Sequence, residues 1–104
     1  NNSLNYLIDE SYNINQSIKN SENINTDELK LQIDNFEESW TQKENLLCLV
    51  INHKEIERIG EQITKLKVLI DQNKKEEAEY ESSLLYFYAE SYEHVINTSF
   101  QNIF

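Results

Sequence analysis

Three observations predict an all-α protein, an antiparallel bundle of three or four helices. The 104 residues contain no proline and a single glycine, so almost nothing interrupts regular backbone. Apolar side chains recur at intervals of three and four, the period of a helix with one buried face. They make up 38% of the chain, with aromatics at 11%, which is enough to fill a core and too much for a disordered tail. A chain of this length fits one small domain, residues 1–104, with helices expected near 3–20, 26–51, 53–71 and 74–101.

The first helix follows from Leu4, Leu7, Ser11, Ile14 and Ile18, a stripe that is polar at its middle. The stretch "NSENINTDE" then loses periodicity and reads as a loop. Asn25 with Glu28 three residues later resembles a capping box, and Asp27 and Glu28 complement the dipole of the helix that follows. Leu29, Ile33, Phe36, Trp40, Lys43 and Leu47 form its stripe, with Trp40 as a core anchor. Its end, Leu46, Leu47, Leu49, Val50 and Ile51, is apolar nearly all round and is expected at the centre of the core. Cys48 in that run reads as a small buried hydrophobe.

After Ile51 the stripe changes phase to Ile56, Ile59, Ile63, Leu66 and Ile70. Either Asn52 caps a new helix with Glu55 as its third-residue partner, or residues 26–71 run as one helix of about 69 Å. Gly60, inside this row, suits a close helix approach or a relaxed bend. "DQNKKEE" supplies a tight connection. The last helix carries Ala78, Leu85, Tyr88, Tyr92, Val95 and Ser99 on one stripe, flanked by Leu84, Phe87, Ile96 and Phe100. Its tyrosines bury ring area while keeping a hydroxyl wet or bonded, which suits helix packing first and a partner surface second.

Nineteen acids against nine bases leave a formal charge of −10, and no stretch is basic enough to track a phosphate backbone. Nucleic acid and anionic lipid head groups are therefore excluded as expected partners. Basic proteins and cations fit the charge, as does a solvated acidic surface. The single cysteine permits neither an intrachain disulfide nor a cysteine-rich zinc site.

Four side chains raise the question of a metal. His53 and Glu57 lie one helical turn apart, Glu90 and His94 repeat that spacing in reverse, and an antiparallel pairing of the last two helices sets them level. Two histidines and two carboxylates suit a divalent ion such as zinc. The heptad phase argues the other way. It puts His53 on the flank and turns Glu57 and Glu90 outward, so His53 is expected first at a helix junction. No Glu-x-x-His, His-Glu-x-x-His or glycine-rich phosphate loop occurs, no serine is placed for nucleophilic work, and no cofactor is expected.

The tryptophan at 40, "LCLVINHKEIERI" at 47–59, the acidic-capped turn near 71–75 and the terminal "SFQNIF" follow one another in a familiar order. Together they resemble a family of short helical proteins of Firmicutes known only as a domain of unknown function, number 4363. The matching positions are Trp40, His53, Glu57, Asn102 and Ile103, and the resemblance attaches no catalytic role to them. It implies an N-terminal hydrophobic anchor, with the helical body outside the cytoplasm. A first residue other than methionine agrees with such a segment upstream. The expected function is non-enzymatic: a membrane-tethered module acting by protein–protein contact at the cell envelope. Its interface would use Tyr86, Tyr88 and Tyr92 or the first helix, with self-association as a further possibility. The rival reading is a metal or small-ligand sensor built on His53 and His94.

Overall fold

Thr26 and Asn52 decide where two of the helices begin. Each is extended (φ −124° and −72°, ψ 151° and 160°) and turns a side-chain oxygen onto a backbone N–H three residues on. Thr26 Oγ1 accepts from Leu29 N at 3.2 Å, and Asn52 Oδ1 accepts from Glu55 N at 3.0 Å. The computed structural model describes the backbone of residues 2–49 and 51–103 and the side chains of residues 6–49 and 51–95. It contains α1 (Asn2–Lys19), α2 (Asp27–Leu47), α3 (His53–Asp71) and α4 (Lys75–Ile103). The expectations placed on the side chains of Leu4, Val50, Ile96, Ser99, Phe100, Asn102 and Ile103 lie outside the described residues.

The four helices form an antiparallel ring in chain order, each packed on its two neighbours, with the most extensive seam between α1 and α4. The long axis of 46 Å is close to the roughly 43 Å that the 29 residues of α4 span. The stripes read from the sequence meet at its centre. Leu7, Ile14, Ile18, Leu29, Ile33, Phe36, Trp40, Leu47, Ile59, Ile63, Leu66, Ile70, Ala78 and Leu85 are all buried there.

Both loops at one end are tied together. Asn73 closes α3 in the left-handed region (φ 55°), with Lys74 N donating to Leu69 O and Asn73 N to Ile70 O, the pattern of a Schellman motif. Its side-chain Oδ1 then accepts from Ile24 N at 2.8 Å, and Asn25 Nδ2 donates to Asp71 O at 3.2 Å. Ile24 is thereby held fully buried beneath the α1–α2 loop.

Polar contacts set the register of the seams. Asn15, buried on α1, donates to Ser82 Oγ (2.8 Å), Ser83 Oγ (3.0 Å) and Glu79 O (3.2 Å) of α4. Gln62 of α3 donates to the Glu81 carbonyl at 2.7 Å and to its carboxylate. Lys67 links α3 to α2 through Asp34 (3.2 Å) and Glu37 (2.9 Å), and these two carboxylates, Glu37 foremost, hold its ammonium above the ordinary lysine pKa.

Several expectations are corrected here. The end of α2 is not enclosed: Leu47 and Ile51 are buried, whereas Leu46 and Leu49 are 49% and 76% exposed and Cys48 is exposed. In a ring of four, each helix meets neighbours on one side only, so an all-round apolar run still turns part of itself to water. Thr26, not Asn25, caps α2, because the Asn25 amide is drawn to Asp71 O. The single long helix does not occur, since the chain turns after Leu47 and restarts at Asn52. Gly60 serves no close approach, as a Cβ there would meet nothing within 4 Å.

Candidate functional site

The residues that raised the question of a metal do not converge. His53 opens α3 and Glu57 lies one turn on, both exposed. They border an open groove between α2 and α3 that also involves Glu44, Cys48 and Glu61. Glu90 and His94 are exposed on α4, and Glu90 accepts a hydrogen bond from the Tyr86 hydroxyl at 3.2 Å. Among the described residues, no three side chains of His, Cys, Asp or Glu come together as ligands for an ion.

The tyrosines of α4 divide between packing and display. Tyr86 leans on Tyr12 of α1 (ring centroids 5.6 Å apart), and its bond to the Glu90 carboxylate raises its phenol pKa. Tyr88 stacks on Tyr92 at 6.4 Å, meets the edge of Phe87 at 6.1 Å and lies under the Arg58 guanidinium of α3 at 5.6 Å. Tyr92 is only 8% exposed, and burial raises its pKa, with the charge of Arg58 acting in the opposite direction. All three tyrosines named from sequence as an interface thus make contacts within the bundle.

The uncovered apolar surface lies one step round the same helix. Tyr80 and Phe87 are 65% and 58% exposed, Val95 is exposed and Leu84 is half-buried. Their spacing of four, three and eight residues puts them on one outward stripe, about 22 Å long at 1.5 Å per residue. Acidic side chains dominate the helix that carries them: Glu76, Glu77, Glu79, Glu81, Glu90 and Glu93 against Lys75. The sequence set Leu84 and Phe87 beside the core row but placed Val95 on that row, and Val95 is instead exposed on the outward one. Their spacing does not say which row faces the other helices.

What the fold and this surface define is a class: an acidic, antiparallel four-helix bundle whose last helix carries apolar residues on both its inner and its outer side. Residues 1–103 match the family model described as Domain of unknown function (DUF4363), and the chain belongs to that family. No curated protein and no solved structure matches it.

Proposed function

We propose that this domain is a non-enzymatic protein-interaction module that presents the outer face of α4 to a partner at the cell envelope. The observation that supports the reading is the stripe of Tyr80, Leu84, Phe87 and Val95, which the bundle's own packing leaves open. Scattered apolar residues on a surface are ordinary, but aligned ones on a single helix match the i, i+4, i+7 anchors by which helices recognise one another. The acidic residues of α4 favour a partner with basic side chains around an apolar strip. Attachment through an N-terminal membrane anchor, with the bundle outside the cytoplasm, rests on the family resemblance. Among the described residues no helix is long and apolar enough to cross a membrane.

The test compares two exposed positions of like character on different helices, Phe87 on α4 and Leu31 on α2. Cross-linking in envelope membranes with the full-length protein is expected to yield a partner that Phe87→Asp loses and Leu31→Asp keeps. Both variants should retain native circular dichroism and melting temperature. A partner recovered equally with Phe87→Asp would remove the α4 face from consideration.

A further inference from the structure

Gly60 is a mid-helix glycine that the bundle does not need. Glycine there weakens α3 relative to alanine, and a Cβ added to it would meet nothing within 4 Å. No other helix of this chain has closed on it. The space beside it belongs to the open groove between α2 and α3, which offers about 700 Å³.

α2 brings Glu44 and Cys48 to this groove, and α3 brings Ile56, Glu57, Gly60 and Glu61. Glu57, Gly60, Glu61 and Thr64 fall at intervals of three and four, so they share one face of α3. The Thr64 hydroxyl already donates to the Gly60 carbonyl at 3.1 Å. More of the groove's surface is apolar than polar, yet its charge is one-sided. Three carboxylates stand against Lys65 and His53, and Lys65 is drawn towards Glu81 of α4 at 3.9 Å. Among the described residues, Glu44, Glu57 and Glu61 have no ion-pair partner.

Shape and charge together select the occupant. The volume would admit a drug-sized molecule, but sites for such ligands enclose roughly 70–90% of the ligand surface, and this groove is open. A helix laid in a groove needs only one face covered, and it packs closest where the facing residue is small. Another copy of this chain is ruled out by charge, since nineteen acids against nine bases make two such faces repel. A basic segment meets the opposite field. We propose that the groove between α2 and α3 docks a basic amphipathic helix of a partner protein. That helix crosses at Gly60 and sets lysine or arginine side chains against Glu44, Glu57 and Glu61. This surface is separate from the outer stripe of α4, and each reading stands or falls without the other.

Two synthetic helical peptides test it on the full chain. Both carry the same alanine and leucine strip, flanked by lysine in one and by glutamate in the other. Gly60 is the only glycine and gives one unambiguous amide resonance. The lysine peptide is expected to shift the amides of Gly60, Cys48 and Thr64, and the glutamate peptide to leave them unmoved. The lysine peptide should also slow alkylation of Cys48, the single cysteine, which is exposed. Gly60→Leu keeps every charge and fills the groove, so it should weaken the lysine peptide at least tenfold with helical content and melting temperature not reduced. Glu57→Gln with Glu61→Gln should weaken it about three- to tenfold, whereas Phe87→Asp should leave these shifts unchanged. The proposal is overturned if the lysine peptide leaves Gly60 unmoved, or if Gly60→Leu binds it as tightly as the native chain. The second result would mean diffuse attraction to an acidic surface and no seat in the groove.

Discussion

Gly60 and Asn73 are both residues associated with unusual backbone, yet only one of them uses that licence. Asn73 takes φ 55° and ends α3, and its side chain then reaches Ile24 of the first loop. Gly60 sits in the middle of α3 with no positive φ, and a Cβ would meet nothing within 4 Å. A mid-helix glycine costs roughly 0.5–1 kcal/mol relative to alanine. Gly60→Ala is therefore expected to stabilise the protein by about that amount, read as a higher urea midpoint at unchanged slope. An unchanged or lower midpoint would mean that Gly60 has a packing duty the structure does not reveal. Cys48 teaches the complementary lesson. Its apolar neighbours made burial the natural expectation, but the residue lies on the turn where α2 leaves the ring, and it is exposed.

The junction between α2 and α3 is decided by local hydrogen bonds that sequence makes visible. After Leu47 the stripe changes phase, and Asn52 with Glu55 three residues later supplies the start signal that the structure realises. Replacing Asn52 with alanine removes the side-chain acceptor and should cost about 1 kcal/mol in denaturant unfolding, whereas Asn52→Asp should restore most of it. A full loss in both variants would point to a role other than capping. Thr26 and Asn25 show why such signals are legible only to within a residue. Both types make good caps, and the choice fell to Thr26 because the partner of Asn25, the Asp71 carbonyl, comes from the end of α3 forty-six positions away. The same limit applies to α4. Its two apolar rows can be listed from the sequence, but which one is covered depends on where α1 and α3 lie.

At the scale of the whole molecule, charge sets the response to pH. Among the described residues, three groups have pKa values raised in the folded state: Lys67 by Glu37 and Asp34, Tyr86 by Glu90, and Tyr92 by burial. A raised folded pKa means that the native state holds its proton more tightly than the unfolded chain. The stability this contributes is complete below the unfolded values, about 10 for tyrosine and 10.4 for lysine, and is lost as pH rises through the folded values. Melting temperature is accordingly expected to fall above about pH 10, with the ultraviolet signature of tyrosinate appearing late for Tyr92. In Lys67→Gln the alkaline fall should be shallower. Because Lys67 is partly exposed, that variant should lose no more than about 1 kcal/mol at neutral pH. An alkaline limb unchanged in Lys67→Gln would show that the lysine contributes nothing to it.

The sequence by itself determined the helices, their inner stripes and the acidic character, because these depend on the 3.6-residue period, on the absence of proline and on a count of charges. It also contained the turn chemistry of Asn52 and Asn73. Only the tertiary structure decided what each helix turns outward. Packing four helices into a ring leaves every one of them a face without a neighbour, and that face can be polar, as at Glu57 and Glu90, or apolar, as along Tyr80, Leu84, Phe87 and Val95. It decided too that Trp40 and Tyr92, fifty-two positions apart and on separate stripes, line one small cavity. Periodicity measures distance along a helix, and such meetings depend on the distance between helices.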